Sequence, residues 1–554
     1  MHLKKSTIKS ALLMLAGTCT FAWAQLPEIR ITTENNRDPT ATTSMVSTCP
    51  NGQPPVGFSC PGGGFPTMST VTNTDYVKIM TFQMTVPGNS QHNLNLTAPA
   101  TGAADSIRVR GNSTATANKR PYRLKFDKRQ PILGKVEARS WVLLAEFYDW
   151  TFALNPIAYT LGRRLGLEFT NSFQHVDVYI NNSYKGIYLL TEQMQVNPGR
   201  VNIDKDFGWL VEFDYHAPEP HHISFNTSGG NLSMQARVRD PEVNDNFNIS
   251  NPTVSFVQRE VNALFDAMAA QGFPDNGYRD LIDLESWAKY VLIQQLVDNF
   301  DFNSKVQAGG LPGSNYAYKD FGKRIHAGPL WDFDLSAGVV DPGMNMMNWP
   351  RHYVTHQEAI RPRHPFYQRL WDDPVFMAKF KKNWDKHQAD FNAIPNLIDS
   401  IANSLAGRVQ ANFAAYSGGP SETAPRPTNE QTYRVHITNL KNWWTQRVQF
   451  FGQEINRLNI DTSKDIDQNA NTTGTAWNNK LSGNIKVSAA KNSLDLKVKN
   501  NASVRVFRLD GREVRKINLN AGNHSVRIND LPKGMYMVRA TVDGQKSAIR
   551  MPVR

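Results

Sequence analysis

Three acidic residues in the middle of the chain have types and spacing that suit phosphoryl transfer. Asp301 directly follows a segment with helical spacing, and Asp332 and Asp334 lie together in the run Leu-Trp-Asp-Phe-Asp-Leu. In an extended chain alternate residues share a face, so the two later carboxylates would project to the same side. Hard divalent cations take oxygen ligands, and Mg²⁺ in such sites uses one or two carboxylates together with substrate phosphates.

An amide lies between these acids. Asn315 belongs to Ser-Asn-Tyr-Ala-Tyr, which reads as a strand. An aspartate, then an amide, then an aspartate after an apolar strand is the order of base, second metal ligand and main metal ligand in kinase-like sites. The same residues also fit a structural alternative, in which Asp301 is a solvated loop acid and Asp332 and Asp334 cap a strand.

The elements around the acids are predicted from periodicity. Apolar residues every fourth position predict a helix over residues 283–300 with one buried face; they are Leu284, Ala288, Leu292, Leu296 and Phe300. Further upstream, residues 107–114 and 119–127 form a strand, a Gly/Asn/Ser turn and a second strand.

The second strand of this hairpin alternates. Tyr122, Leu124 and Phe126 would share an apolar face, which leaves Lys125 on the opposite one. A glycine-containing turn lets backbone N–H groups approach phosphate oxygens, and a lysine on the neighbouring strand would add charge. An ordinary hairpin with a solvated lysine is the alternative, and the hairpin residues by themselves favour it.

Seven strings in one order carry a family resemblance over residues 106–459. They are Arg-Gly-Asn-Ser-Thr, Lys-Arg-Pro-Tyr-Arg-Leu-Lys-Phe-Asp, Trp-Val-Leu-Leu-Ala, Gly-Ile-Tyr-Leu-Leu-Thr-Glu-Gln, Gly-Trp-Leu-Val-Glu-Phe-Asp, Asn-Phe-Asp and Leu-Trp-Asp-Phe-Asp. In this order they resemble the CotH (spore-coat protein H) kinase family. The resemblance implies an atypical protein kinase that uses ATP and Mg²⁺ or Mn²⁺ to phosphorylate Ser or Thr of a protein substrate.

The resemblance also implies roles for single residues. It makes Asp301 the catalytic acid/base, Asp332 the main metal ligand and Lys125 the phosphate-contacting lysine. The function predicted in this way is an exported CotH-like kinase. The alternative is a non-catalytic adhesion or polysaccharide-binding protein of the cell surface that retains the kinase-like fold.

Other positions follow from the same resemblance. Asn315 and Asp334 would join the metal site, and Arg110 and Glu192 would line the nucleotide cleft. One departure bears on activity, because Leu154 stands where the family often has arginine before Asn155. Neither a Walker-type lysine loop nor a complete Gly-x-Gly-x-x-Gly string is present in the sequence.

The N-terminus reads as an export signal over residues 1–24. Three lysines precede an apolar run, and Ala-Trp-Ala precedes Gln25 as a small-residue cleavage site. A lipoprotein signal around Cys19 is the alternative. After removal of the signal Cys49 and Cys60 remain, and in an oxidising compartment such a pair in a Pro/Gly-rich loop predicts a disulfide. No later segment is apolar enough for a transmembrane helix.

The predicted fold class is α+β, with an atypical protein-kinase-like core at residues 105–459. An N-terminal β region with the disulfide loop covers 25–104, and a linker covers 460–480. Residues 366–459 are helical and rich in aromatics with interleaved cations; nucleic-acid or sugar contacts would also fit, but helical spacing favours packing. Asp465 begins an incomplete calcium-loop pattern, because Ala470 occupies the position of the required glycine.

The tail at residues 481–554 predicts a small β-sandwich. It resembles the sorting domain of type IX secretion in its strings Leu-Asp-Gly-Arg-Glu-Val and Leu-Pro-Lys-Gly-Met-Tyr. From Lys480 to Arg554 sixteen Lys/Arg face five Asp/Glu, so the tail carries +11 of the formal net charge of +12. This distribution argues against nucleic acid as the partner of the rest of the chain, while a basic sugar- or polyanion-binding module is the rival for the tail. The expected location is the cell surface or the medium, reached through the periplasm and the type IX machinery.

Overall fold

The computed structural model describes most of the chain between residues 25 and 553. The described residues are 25–48, 67–111, 113–205, 208–214, 223–240, 252–303, 312–320, 322–339, 357, 359–416, 426–468, 485–489, 493–508, 512–527, 530–532, 534–542 and 545–553. The predicted export signal, the predicted disulfide between Cys49 and Cys60 and most of the predicted linker lie outside them.

Ten strands and one helix make up the N-terminal part. They are β1 (Glu28–Thr33), β2 (Ala41–Thr48), β3 (Thr67–Thr74), β4 (Val77–Thr85), β5 (Leu94–Thr97), β6 (Ser106–Val109), β7 (Tyr122–Gln130), β8 (Ala138–Leu144), α1 (Leu154–Arg164), β9 (Phe173–Ile180) and β10 (Ser183–Glu192).

Most of these strands form a barrel. The sheet runs in the order β1-β9-β10-β8-β7-β6-β4, and pairing of β1 with β4 closes it, while β5 pairs with β4 at the side. Strands β2 and β3 form a separate ribbon. The prediction of an N-terminal β region of its own needs correction, because β1 and β4 complete a barrel whose other strands lie beyond residue 104. Closure removes the open sheet edges that a separate region would expose.

The barrel interior is filled by alternate residues of its strands. Tyr122, Leu124 and Phe126 are buried there, as the predicted apolar face of this strand requires. Phe82 of β4 packs edge to face on Phe126, with ring centroids 5.2 Å apart. Because strand side chains alternate between faces, the other set of residues on these strands is left to contact the helices and the solvent.

A second sheet and a set of helices follow. The strands are β11 (Trp209–Phe213), β12 (Ser224–Asn226), β13 (Gln235–Asp240), β14 (Asn315–Lys319) and β15 (Ile325–Ala327), in the antiparallel order β12-β13-β11-β14-β15. The helices are α2 (Pro252–Ala269), α3 (Leu284–Leu296), α4 (Phe300–Asn303), α5 (Pro365–Trp371), α6 (Pro374–Lys386), α7 (Gln388–Asn392), α8 (Ile394–Ser404), α9 (Val409–Ala414) and α10 (Glu430–Arg457).

Helix α3 lies at the centre of this part. The period-four residues are buried as predicted, but so are Trp287, Tyr290 and Ile293 on its other sides. A helix that is apolar all round belongs in the interior of a large core, and the prediction of one buried face was therefore too narrow. Asp283 caps its start by accepting a hydrogen bond from the Ser286 N–H at 2.8 Å.

The aromatic residues of the C-terminal helices pack against one another in the core. Trp384 stacks on Phe391 with centroids 5.1 Å apart, and Trp443 and Trp444 are both buried. This confirms packing over ligand contact as the role of the helical aromatics. Among the described residues no helix has the length and hydrophobicity needed to cross a membrane.

The tail forms two antiparallel sheets around one core. Its strands are β16 (Ile485–Ala489), β17 (Ser493–Val498), β18 (Ala502–Arg508), β19 (Glu513–Leu519), β20 (Gly522–Arg527), β21 (Gly534–Val542) and β22 (Gln545–Val553). The orders are β16-β17-β20 and β19-β18-β21-β22, and Leu494 of the first sheet shares a core with Val504 and Val538 of the second. The predicted small β-sandwich is confirmed.

Arg447 of α10 supports the end of α3. This arginine is fully buried; its Nη2 donates to the Gln295 carbonyl at 2.6 Å and its Nε to the Leu296 carbonyl at 3.2 Å. The last carbonyls of a helix have no partner within the helix, and a cation beside them also interacts favourably with the negative end of the helix dipole. The long C-terminal helix therefore fixes the point at which the chain leaves α3 for Asp301.

We expect Arg447→Met to lower the free energy of unfolding by about 3 kcal/mol, because two buried carbonyls lose their donor. Arg457→Met is the matched control, since Arg457 lies on the exposed surface of the same helix. Urea unfolding of the mature chain followed by tryptophan fluorescence measures the difference, and the tail contains no tryptophan to obscure it. Equal midpoints for the two variants would contradict the role given to Arg447.

Candidate active site

Two chain segments joined by hydrogen bonds bring the predicted acids together. The Phe300 N–H donates to the Leu335 carbonyl at 3.2 Å, and the Ala337 N–H donates to the Val297 carbonyl at 2.7 Å. Asn299 adds a third bond, from its side-chain amide to the Asp332 carbonyl at 3.3 Å. We call this pairing of residues 297–303 with 331–337 the clasp. It places Asp301 beside the Asp-Phe-Asp turn.

The clasp also explains the backbone around Asp332. Asp332 has φ +65, a left-handed conformation that is uncommon outside glycine, and β15 ends before it at Ala327. The extended strand predicted for the Asp-Phe-Asp run is therefore wrong. The burial pattern nevertheless alternates as predicted: Trp331 and Phe333 are buried, and the aspartates on either side of Phe333 are partly exposed.

The three acids are close enough to perturb one another. Burial raises the pKa of Asp334 well above its ordinary value, and the charges of Asp332 and Asp301 raise it further. More distant contributions come from Asp149 and Glu146. Neighbouring carboxylates disfavour each other's ionised form unless a cation neutralises them. The donor set thus fits a hard divalent cation at Asp332 and Asp334, while the described residues contain no group of three or more His, Cys, Asp or Glu placed to hold a metal ion by themselves.

The segment at the start of β14 also contacts the acids, through Ser314 and Gly313. Ser314 donates from its hydroxyl to Asp332 Oδ2 at 3.3 Å, and the Gly313 N–H donates to the Asp301 carbonyl at 2.8 Å. Asn315 is almost fully buried, and its Oδ1 accepts a hydrogen bond from the Tyr290 hydroxyl at 3.1 Å. The structure therefore places the Ser314 hydroxyl against the Asp332 carboxylate and the Asn315 oxygen against Tyr290 of α3, and the metal-site role of Asn315 stays a prediction.

Helix α1 fixes the other side of the Asp-Phe-Asp turn. Asn155 accepts at its Oδ1 a hydrogen bond from the Phe333 N–H, 3.1 Å away. Asp149 holds the start of the helix, because its carboxylate accepts from the N–H groups of Thr151 and Leu154 at 2.8 Å each. The Leu154 side chain, at the position of the family's arginine, is buried in the main hydrophobic core.

Two residues connect this centre to the barrel. The Arg110 guanidinium lies over the Trp331 ring, 5.1 Å from its centroid. Tyr159 is fully buried, and its hydroxyl has no hydrogen-bond partner among the residues that the structure describes. Its pKa is raised well above the ordinary value by burial and then by the charge of Asp332. The charge of Arg110 lowers the pKa of the same hydroxyl. Arg110 thus contacts the residue that precedes Asp332, and its role in the nucleotide cleft stays a prediction.

Two predicted positions remain, Lys125 and Glu192. Lys125 is exposed on β7, with its ammonium 5.6 Å from the centroid of the Tyr76 ring. Glu192 is buried at the end of β10, where its carboxylate accepts hydrogen bonds from the Ser172 N–H at 2.8 Å and from the Ser172 hydroxyl. Lys125 therefore has the surroundings of a solvated lysine, while Glu192 lies in an enclosed polar setting.

Comparison with known sequences decides the family. The family described as CotH kinase protein matches residues 107–451, which is more than half of the chain. The chain belongs to the CotH kinase protein family. A second match covers residues 489–553 and is described as a secretion system C-terminal sorting domain, so the tail marks a type IX secretion cargo that reaches the cell surface or is secreted.

Two further comparisons add little to this assignment. The curated proteins contain no match to the chain. The twitchin kinase region from C. elegans, a solved structure with the segments Fn31-NL-kin-CRD-Ig26, aligns over 93% of this chain and 93% of its own at 10% identity. Its TM-score is 0.13, and a likeness of that size carries no argument about the fold.

In this CotH-family chain the structure also points to residues that the sequence analysis did not single out. Lys119 is buried, and its ammonium donates to the Ile187 carbonyl at 2.6 Å and lies 5.0 Å from the centroid of the Phe152 ring. Burial lowers its pKa to about 7, partly opposed by the charge of Glu146. Glu146 is itself buried and bonded through one oxygen to His175 at 3.2 Å.

The sequence held only a faint signal for these residues. Lys119 opens the same nine-residue string that contains Lys125, and periodicity gives no reason to choose the first lysine over the second. Glu146 follows the end of β8 in a stretch without any spacing pattern. The charges of Glu146 and Asp149 raise the pKa of both Lys119 and Asp334. These two buried acids therefore interact electrostatically with Lys119 and with the acidic centre.

We expect Lys119 to make stability depend on pH. Between pH 7 and the ordinary lysine value of 10.5 the folded protein holds this lysine neutral while the unfolded chain keeps it protonated. The unfolded state then binds more protons, so stability rises with pH through this window, by up to about 1.4 kcal/mol per pH unit. Lys119→Met should lose this dependence.

Urea unfolding of the mature chain at several pH values between 7 and 9 tests the dependence. The control is Lys128→Met, because Lys128 is exposed on β7. Its curve should keep the slope of the unsubstituted chain. Parallel curves for Lys119→Met and the unsubstituted chain would contradict the assignment of a depressed pKa to Lys119.

Proposed function

We propose that this protein is an exported protein kinase that transfers the γ-phosphoryl group of ATP to a Ser or Thr hydroxyl of a surface or extracellular protein. The observation that supports it most directly is the meeting of Asp301, Asp332 and Asp334 at the clasp, inside a CotH-family domain. An atypical kinase-like arrangement of the core is part of this proposal. Membership of the family supports the proposed chemistry, and the sorting tail supports export.

Asp301 is the proposed acid/base. It lies in α4, within the clasp, and it is only partly buried, so an incoming hydroxyl has access to it. Its backbone N–H donates a hydrogen bond to the Asn299 side-chain Oδ1 at 3.2 Å. A carboxylate held in this way orients the hydroxyl and takes its proton as the phosphoryl group leaves ATP, as in other phosphoryl-transfer sites.

Asp332 and Asp334 are the proposed metal ligands. Mg²⁺ or Mn²⁺ bound there would neutralise the charge that develops on the transferred phosphoryl group. The two carboxylates oppose each other's ionisation without a cation. The Ser314 hydroxyl donates to the Asp332 carboxylate, and the Asn299 amide donates to the Asp332 backbone carbonyl. The first contact orients the proposed metal ligand and the second holds its backbone before any substrate arrives, which reduces the reorganisation needed during the reaction.

A non-catalytic surface protein is the second candidate, and one observation favours it. Leu154 occupies the place of the family's arginine, and its side chain is buried in the main core instead of meeting phosphate. Such a protein would bind a polysaccharide or another surface partner on the same scaffold. It would retain the acids only as structural residues, and it would not bind ATP.

The kinase proposal predicts that Asp301→Asn lowers the rate of phosphoryl transfer roughly 10²–10⁴-fold while the fold is kept. Asp332→Ala should abolish transfer. Asp385→Asn is the matched control, because Asp385 forms only an exposed pair with Lys381 on α6. The measurement is transfer of labelled phosphate from ATP to a Ser-rich substrate by the mature chain, with Mg²⁺ and with Mn²⁺.

Thermal unfolding with and without ATP and metal separates the two candidates. A ligand at 100 times its Kd adds roughly 2.7 kcal/mol to stability, which is a clear shift. Label on the substrate that is lost in the Asp332→Ala variant supports the kinase. A folded protein that gives no label with either metal and no shift with ATP, but that binds insoluble polysaccharide, would establish the non-catalytic candidate instead.

A further inference from the structure

Gln294 is a buried polar residue in a helix that is otherwise mostly apolar. It lies in the last turn of α3 and is completely buried, as are Ile293 and Leu296 beside it. A buried amide is costly unless its polar atoms form hydrogen bonds. The Gln294 side-chain Oε1 accepts one from the Asn299 side-chain Nδ2 at 2.9 Å. Gln294 thus contacts the residue that links the two segments of the clasp.

The backbone at the end of α3 brings these two amides together. The Asn299 N–H donates to the Gln294 carbonyl at 3.0 Å, and the Asp298 N–H donates to the Gln295 carbonyl at 3.2 Å. Asp298 has φ +50, so the pattern is a Schellman motif, in which a residue in the left-handed conformation ends the helix. These backbone bonds suffice to end the helix. The side-chain bond between Gln294 and Asn299 is additional to them.

Asn299 uses both ends of its amide, and each contact fixes the orientation of the group. Its Oδ1 accepts from the Asp301 N–H at 3.2 Å, so this end of the amide must be the oxygen. Its Nδ2 donates one hydrogen to the Asp332 carbonyl at 3.3 Å and the other to Gln294 Oε1. Without the Gln294 acceptor one hydrogen of a buried amide would lose its partner, and the amide would be free to turn.

One side chain therefore bridges the backbone of the proposed base and the backbone of the proposed metal ligand. Asp332 has φ +65, a conformation that an aspartate adopts only when its surroundings hold it there. The bond from Asn299 to the Asp332 carbonyl is one of the contacts that do so. A misplacement of about 1 Å between reacting groups costs roughly 10²-fold in rate, so the orientation of this amide matters for the chemistry.

We propose that Gln294 is a positioning residue for phosphoryl transfer, and that it acts by fixing the Asn299 amide that links the backbones of Asp301 and Asp332. This inference rests on the proposed kinase function. Gln294 is completely buried, so it has no access to a substrate or a metal ion. Its effect should therefore appear in the rate and in metal affinity, and not in the affinity for ATP.

The first test compares Gln294→Met with Asn383→Leu in the mature chain. Methionine has about the volume of glutamine but only a weak acceptor. Asn383 of α6 is also buried, and its amide donates to Glu285 near the other end of α3, about 13 Å along the helix. With metal and ATP saturating, Gln294→Met should lower kcat roughly tenfold or more and leave the KM for ATP almost unchanged. Asn383→Leu should leave both unchanged, and equal kcat values for the two variants would overturn the proposal.

Gln294→Glu is a second variant at the same position. Glutamate differs from glutamine by one atom and keeps an oxygen acceptor for the Asn299 Nδ2. This variant should retain most of kcat. A loss as large as that of Gln294→Met would contradict the role given to the acceptor. Circular dichroism of each variant checks that the fold is kept.

A double-mutant cycle tests whether Gln294 acts through Asn299. Asn299→Ala should lower kcat more than Gln294→Met does, because it removes the contacts to both acid-bearing segments. In the Asn299→Ala background, Gln294→Met should have no further effect on kcat, since the two side chains act as one unit. The same fold-loss in both backgrounds would show that Gln294 acts independently of Asn299.

Mn²⁺ binding supplies a readout that does not depend on catalysis. Loss of a partner that supports a metal ligand lowers metal affinity or activity roughly 10- to 100-fold. Electron paramagnetic resonance of free Mn²⁺, measured without ATP, gives the Kd of each variant. Gln294→Met should raise this Kd, and Asn383→Leu should not. An unchanged Kd in Gln294→Met, or an unsubstituted chain that binds no Mn²⁺, would overturn the positioning of Asp332.

The two readouts separate this inference from the proposed function. If the unsubstituted chain transfers label and Gln294→Met matches Asn383→Leu in kcat and in Mn²⁺ affinity, the kinase stands and the positioning role is removed. If Mn²⁺ affinity depends on Gln294 but no label is transferred, Gln294 positions the metal ligand and the kinase is removed.

Discussion

The candidate site depends on the clasp between residues 297–303 and 331–337. Its bonds join the end of α3 to the turn after β15, so the two segments that carry the acids are held together by two backbone hydrogen bonds and one from the Asn299 side chain. Arg447 of α10 adds to this support, because its guanidinium donates hydrogen bonds to the last carbonyls of α3. Because α3 is buried on all sides, the position of Asp301 is set by the packing of the whole helical core.

Negative charge is concentrated at the candidate site. Asp301, Asp332 and Asp334 carry charges that a divalent cation would neutralise, and the charges of Asp332 and Asp301 raise the pKa of Asp334.

The barrel and the tail have separate relations to this site. The barrel supplies Arg110 and Glu192 from its strand ends, and residues on its outer face join the main core of the helices. The tail has a hydrophobic core of its own and carries most of the net charge. Export and the proposed chemistry therefore rest on different parts of the chain, and the basicity of the sequence describes the sorting domain and not the site.

The sequence by itself determined the acids, the strands around them and the sorting tail, because strand alternation and short strings are local properties. Spacing correctly placed Leu124 and Phe126 inside and predicted the sandwich of the tail. Only the tertiary structure decided that the N-terminal strands close a barrel, that the Ser314 hydroxyl bonds to Asp332, and that Lys125 lies exposed. The physical reason is that these outcomes depend on hydrogen bonds and packing between segments far apart in the chain, which no local period encodes.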